Sequence, residues 1–273
     1  MRRPLLTILL ASAAMLLAAT PILAQAPAQR APAPAPARPA APAPAVPAQA
    51  PYKSVAVTIP SMPRDAGFEA LRKELAEIAK RKDRAALAQR VVARDFFWER
   101  DFSGTFDPRR PSVDNLAAAL TLEADDGSGW DALAAFAAET SAGPLPGRPS
   151  VICAPVIAQF DEGARDQLVQ STQSDPLEWN YPRAAGLQVR AAPQANAAVT
   201  ETLGLHFVRV LGFDDKNGDT DPARNSWARV ATPGGKTGFT APNSLLSPSA
   251  DRLCYGREGN GPWRIVGYVA GGD

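Results

Sequence analysis

The sequence predicts an α+β chain, in which a small, mainly helical N-terminal unit precedes a C-terminal β-barrel. Between residues 63 and 136 the apolar side chains recur every three or four positions, the period of amphipathic helices. From Tyr181 onward they alternate and are broken by closely spaced Gly and Pro, which is typical of short strands. The predicted parts are a signal peptide (1–24), an Ala/Pro-rich disordered linker (25–51), a mainly helical domain (52–150), a connecting segment (151–180) and the barrel with an extra hairpin (181–273).

The first residues have the pattern of a secretory signal peptide. Arg2 and Arg3 precede an apolar run from residue 5 to residue 19, and small residues follow. That run is shorter than the roughly twenty apolar residues of a membrane-spanning helix. We therefore predict export, cleavage after Ala24, and a periplasmic or secreted protein without a transmembrane segment after processing.

Residues 26–51 consist almost entirely of Ala and Pro. Repeated proline removes backbone donors and fixes φ, so neither a helix nor a sheet can propagate there. The segment is interpreted either as a disordered tail left after cleavage or as a spacer. The 29 basic and 28 acidic residues leave a net charge of +1, which favours neither nucleic acid nor an anionic membrane as partner.

The chain has only two cysteines, Cys153 and Cys254. In an exported protein such a pair predicts one disulfide, here tying the end of the N-terminal region to the end of the barrel region. The competing hypothesis pairs a Cys153 nucleophile with His206, the only histidine. A reactive thiolate needs a helix start or a neighbouring base, whereas Cys153 stands between apolar residues and is followed by Pro155.

Two further groups of residues are weighed as sites. Glu99 and Asp101 stand two apart beside several aromatic residues and could act as a carboxylate pair on a sugar, although aromatic strands are ordinary core. Residues 214–221 are acidic, but Gly218 is misplaced for a calcium loop and no Glu closes it. We therefore expect no metal site and no cofactor.

Four short segments, in order, resemble the bacterial SH3-like domain. The resemblance covers residues 187–246. The matching residues are Leu187, Val189, Arg190 and Pro193; Val208 and Val210; Trp227 and Val230; and Gly235, Lys236, Gly238 and Phe239. The chain departs from the pattern at Gln188, at Ala191 and Ala192, and by an insertion at 214–225; a further hairpin at 252–269 follows. More loosely, the helical unit is similar to uncharacterised domains that precede SH3-like domains in periplasmic proteins.

The resemblance implies recognition of cell-wall peptide or of an envelope protein. Four aromatic residues are candidates for lining a binding surface: Trp179, Tyr181, Trp227 and Tyr255. The sequence contains no catalytic triad, metal cluster or phosphate loop, so it favours a non-catalytic binding or scaffold protein. The alternatives are a cell-envelope hydrolase with an unrecognised site in the helical unit and a purely structural protein.

Overall fold

The computed structural model describes residues 49–61, 64–101, 103–214, 225–257 and 259–272. Several predicted features lie outside these residues: the signal peptide with its cut after Ala24, residues 25–48 of the linker, and residues 215–221 of the acidic loop.

Five α-helices form in the described part of the chain, and three of them begin at an aspartate. The helices are Ala66–Arg81 (α1), Arg84–Ala88 (α2), Ser112–Ala119 (α3), Ser128–Ala138 (α4) and Glu162–Thr172 (α5). Asp65, Asp83 and Asp161 each accept a hydrogen bond from the backbone N–H three residues on, at 2.9 Å. Because the first N–H groups of a helix have no partner within it, these carboxylates determine where α1, α2 and α5 start.

The strands among the described residues are short and form two main sheets and one small ladder. They are Val57–Thr58 (β1), Phe97–Glu99 (β2), Gly143–Leu145 (β3), Arg148–Ala154 (β4), Gln159–Phe160 (β5), Trp179–Pro182 (β6), Leu187–Arg190 (β7), Val199–Leu203 (β8), Val208–Asp214 (β9), Trp227–Ala231 (β10), Thr237–Thr240 (β11), Leu245–Leu246 (β12), Arg252–Gly256 (β13) and Arg264–Val269 (β14). With helices and strands both well represented, the α+β class is confirmed.

A five-stranded sheet in the order β2-β14-β13-β4-β3 lies against the helices. Its central hairpin, β13 with β14, comes from the end of the chain, whereas β2, β3 and β4 come from the N-terminal half. Leu253, Tyr255 and Ile265 of this hairpin are fully buried in one core with α1 and α4. The predicted C-terminal hairpin therefore forms, but it completes the core of the helical part of the molecule rather than extending the second sheet.

The predicted disulfide is confirmed between Cys153 of β4 and Cys254 of β13. The two residues face each other in the ladder, with their Cα atoms 4.0 Å apart. The bridge closes a sequence separation of 101 residues inside one sheet, so it joins two strands of the same layer. This placement differs from the predicted link between two separate regions, because β13 itself belongs to the five-stranded sheet.

The second main sheet has the strand order β12-β6-β9-β10-β11-β7-β8. The predicted strands from residue 187 to residue 240 form as hairpins in this sheet, around a core that includes Val189, Val208 and Val230. No ladder between described residues joins its two outermost strands, β8 and β12. In the described residues, the sheet is therefore open between β8 and β12.

The last residues of the Ala/Pro-rich linker lie on the turn between β10 and β11. The Gln49 N–H donates to the Gly235 carbonyl and the Tyr52 N–H to the Pro233 carbonyl, both at 3.0 Å. Gly235 has φ of 78°, and a Cβ there would lie 2.4 Å from the Gln49 carbonyl oxygen. Only glycine combines a positive φ with the absence of a Cβ, so Gly235 allows residues 49–52 to pack on this turn.

Candidate functional site

Three of the four predicted binding aromatics are buried, so they line no surface. Trp179, Tyr181 and Tyr255 are each 0% exposed. Trp179 donates from Nε1 to Ser174 Oγ at 2.7 Å, and Tyr255 packs edge-on against Phe68. Trp179 and Tyr181 belong to one core and Tyr255 to another, so the structure does not bring them together. Burial also raises the pKa of Tyr255 above its usual range.

Trp227, the fourth predicted binding residue, opens β10 and is half-buried. It pairs with Asp214 across the ladder to β9, which is where the inserted loop leaves the sheet. Its place is therefore at a strand end, apart from the three buried aromatics.

The residues considered for hydrolysis have structural roles. The Glu99 carboxylate lies 3.3 Å from Arg148, and Asp101 accepts from the Phe106 N–H at 2.6 Å and from Ser103 Oγ at 2.7 Å. These bonds fix the strand end and the turn after it. The acid pair thus holds local structure together.

Cys153 and His206 do not form a nucleophile and base. Cys153 is in the disulfide, and His206 lies in the other part of the fold, bridging to Ala56. Burial lowers the pKa of His206, with the Glu201 charge opposing that shift. His206 Nε2 is enclosed and has no hydrogen-bond partner among the described residues. This side chain behaves as a neutral, half-buried packing residue.

A cleft of about 930 Å³ lies where α4 faces the seven-stranded sheet. Asp131, Ala132 and Ala135 of α4 line one side, and Val210, Phe213 and Ala228 of β9 and β10 line the other. Residues of the segment around β12, and residues 250 and 251 before β13, also line the cleft. The cleft is therefore built by both halves of the fold.

A buried ion pair forms part of the cleft wall. Arg183, just after β6, donates from Nη1 to Glu139 Oε1, just after α4. The Glu139 side chain is 1% exposed and also accepts from the Ser141 N–H at 2.8 Å. Burial by itself would raise the pKa of Glu139, but the hydrogen bonds and charge of Arg183 outweigh it and hold that pKa below its usual range. Arg183 further donates to Asn243 from Nε and Nη2, both at 2.7 Å.

Arg252 holds the segment that leads from the cleft to β13. Arg252 is 2% exposed, and its guanidinium donates to the Ala250 carbonyl at 2.6 Å and to the Pro248 carbonyl at 2.7 Å. Burial lowers the pKa of Arg252 from its usual value. By saturating these carbonyl groups, Arg252 shapes the wall that Ala250 and Asp251 contribute to the cleft.

The chemistry of the lining suits a peptide. Amides and hydroxyls dominate its polar part: Asn180, Asn225, Asn243, Ser128, Ser244 and Ser247. Phe213 is 38% exposed and offers an apolar contact. The Arg183 guanidinium already binds Glu139 and Asn243. The Asp251 carboxylate accepts a hydrogen bond from the Gly271 N–H. Asp131 has no ion-pair partner among the described residues. The cleft can thus accept neutral hydrogen-bonding groups and a positive charge at Asp131.

The cleft could not be predicted from the sequence. The residues that form it come from segments far apart in the chain, and Ala132, Asn180 or Ser244 have no local signal of function. One indication was available: Phe213 is a large apolar residue next to an acidic insertion, where a solvent-exposed strand end is expected to be polar.

Neither a metal centre nor a membrane-spanning helix is found among the described residues. No group of three or more His, Cys, Asp or Glu is placed to hold a metal ion there. Of the helices described, none has both the length and the apolar character needed to cross a membrane.

No family model, no curated protein and no solved structure matches this chain.

Proposed function

We propose that this chain is an exported, non-catalytic binding or scaffold protein of the cell envelope, and that its ligand is a peptide carrying a positive charge. Such a ligand is either a cell-wall peptide or a segment of another envelope protein. The observation that carries the proposal is the cleft between α4 and the seven-stranded sheet. It presents an exposed aromatic ring at Phe213 and, at Asp131, a carboxylate that forms no ion pair with a described residue.

The SH3-like identity of the second sheet is part of this proposal. It is supported by the order of the four matching segments, which occupy β7, β9, β10 and the β10–β11 turn with β11. The pairings of β9 with β10 and of β10 with β11 join consecutive antiparallel strands, and β11 also pairs with β7, which supports the proposal of a small antiparallel β domain. Loops set specificity in small folds, and the described residues that flank the insertion, Phe213 and Asn225, line the cleft together with α4.

Sedimentation with purified peptidoglycan sacculi tests the proposal. The wild-type chain should sediment with the sacculi without releasing soluble fragments. Ala132→Phe should abolish this retention, because the new ring fills the cleft from the α4 side, and Asp131→Asn should weaken it about tenfold through loss of a charge-assisted contact.

Ala138→Phe is the matched control, since Ala138 is exposed on the same helix and does not line the cleft. Retention that survives Ala132→Phe would contradict a site in the cleft. Release of soluble wall fragments by the wild-type chain would instead indicate the hydrolase.

A further inference from the structure

A second groove, of about 760 Å³, lies between residues 53–58 and α5. Leu168 and Val55 are buried at its base, and Ala164 and Phe160 are partly exposed above them. The groove shares no lining residue with the cleft at α4. It is therefore a separate feature with its own chemistry.

One edge of the groove is a strand backbone whose hydrogen-bonding direction is known. The Val57 N–H donates to the Leu205 carbonyl, and the Phe207 N–H donates to the Val55 carbonyl, both at 3.0 Å. Since N–H and C=O groups of alternate residues in a strand point in opposite directions, those of Ser54 and Ala56 point the other way, toward β5 and the groove.

The partner strand on that side stops early. β5 pairs with β1 only through Gln159 and Phe160. Asp161 then caps α5, with Oδ1 accepting from the Ala164 N–H at 2.9 Å, and the chain leaves the sheet. As a result the Ser54 backbone has no hydrogen-bond partner in the part of the chain that the structure describes.

Side chains of opposite charge, Lys53 and Asp161, lie on either side of the unpaired Ser54 backbone. Lys53 is exposed and makes no ion pair with a described residue, and Asp161 uses only its capping bond among the residues that the structure describes. The register of β1 with β5 puts Asp161 opposite Ala56, three residues from Lys53. At about 3.3 Å per residue the two backbone positions are about 10 Å apart along the strand, the length of three extended residues.

We propose that this groove binds a short extended peptide with a free amino group and a free carboxylate. The peptide runs antiparallel to residues 53–58 and continues the ladder from the point where β5 leaves it. Its backbone pairs with Ser54, its amino group lies at Asp161 and its carboxylate at Lys53. Adding a strand to a sheet edge is an established mode of peptide recognition.

The base of the groove is apolar, and residues on both of its sides are small. The short side chains of Ala164 on the α5 side and Ala56 on the strand side leave room for the backbone and the apolar side chains of a peptide. The chain's own residues 25–48 do not meet the charge requirement, since they contain no Asp or Glu to pair with Lys53. The groove therefore calls for a separate ligand.

Calorimetric titration of the full chain with L-alanyl-L-alanyl-L-alanine tests the proposal. The wild-type chain should bind this tripeptide, and amidation of its carboxylate should weaken binding about tenfold, the effect of one lost charge-assisted contact. Lys53→Met should weaken binding of the free tripeptide to the same extent and abolish the difference between the two peptides. Ala164→Leu should block both, because the larger side chain fills the groove while remaining a good helix former.

Two control variants show whether the tripeptide binds in this groove or elsewhere on the protein. Lys73→Met removes an exposed lysine on α1 and should leave binding unchanged. Ala132→Phe, which fills the cleft at α4, should also leave it unchanged, so failure of one proposal does not imply failure of the other.

Three results would overturn the proposal. The first is that the tripeptide does not bind at millimolar concentration. The second is that Lys53→Met and Ala164→Leu bind it as the wild type does. The third is that a second copy of the chain occupies the groove, so that Ala164→Leu dissociates a dimer.

Discussion

Arg183 and Glu139 form an ion pair that joins the end of α4 to the segment that follows β6. Glu139 is almost fully enclosed and Arg183 is 19% exposed, so the pair is shielded from solvent. Its bonds to Asn243 and Ser141 extend it into a network that spans the two main parts of the fold. The relative position of the cleft walls depends on this network.

Breaking this pair should destabilise the protein strongly. Arg183→Met leaves the Glu139 carboxylate buried without its cation, and we expect a loss of about 3 kcal/mol in the free energy of unfolding, measured with urea. Adding Glu139→Leu should recover part of that loss, because the unpaired charge is then gone. The comparison is Arg81→Met, since Arg81 pairs with Asp83 at the surface and should cost less than about 1 kcal/mol. Equal losses in the two single variants would contradict the buried network.

His206 should make stability depend on pH below neutrality. Its folded pKa lies below the unfolded value of about 6.5, so the unfolded chain binds the proton more readily. Stability from the neutral ring is therefore present above about pH 6.5 and decreases as the pH falls through that value. His206→Gln should flatten the urea-derived stability between about pH 7.5 and about pH 5.5. The lowered pKa of Glu139 affects only a more acidic range, below about pH 4.3, so the two contributions are separable. An unchanged slope in the variant would refute the assignment.

Removing the disulfide should lower stability without changing the fold. In the double variant Cys153→Ala with Cys254→Ala we expect a loss of about 2–4 kcal/mol, because the bridge closes a long loop that the unfolded chain would otherwise open. Reduction of the wild type should give a loss of the same size, whereas reductant should leave the variant unaffected. Identical unfolding curves for oxidised and reduced wild type would show that the bridge contributes nothing.

Gly129 sets the contact between the start of α4 and the end of α3. A Cβ at this position would lie 2.4 Å from the Leu120 carbonyl oxygen and 2.5 Å from that of Thr121, both rigid backbone atoms. Gly129→Ala should therefore destabilise by about 1–3 kcal/mol, as overpacking does. Gly163→Ala, in the first turn of α5, meets only an ordinary contact at 3.4 Å and should be neutral or stabilising. Thermal melting of both variants checks the difference.

The short-range features of the fold were predictable because their causes lie within a few residues. The amphipathic period after residue 63 predicted α1 and α2, and alternation after residue 181 predicted β7, β9 and β10. The cysteine pairing was also predictable, since two cysteines permit one bridge. The place of the hairpin at 252–269 was not, because pairing of β14 with β2 joins residues that the sequence separates widely.

The predicted aromatic surface was wrong for a related reason. Trp179 and Tyr181 stand in a segment that looks like a linker, and their burial depends on Ser174, Phe207 and the incoming Tyr52, which only the folded chain brings near. Burial of a large side chain is decided by what covers it, and no local pattern records that.

By itself, the sequence determined the α+β class, the first two helices, the strand alternation and the one possible disulfide, because each follows from local chemistry or from counting. Only the tertiary structure decided that the C-terminal hairpin completes the first core, that three of the four predicted aromatics are packing residues, and that a cleft and a groove open at α4 and α5. Those features arise from contacts between distant segments, whose free energy depends on the whole packed arrangement and is absent from any one stretch of chain.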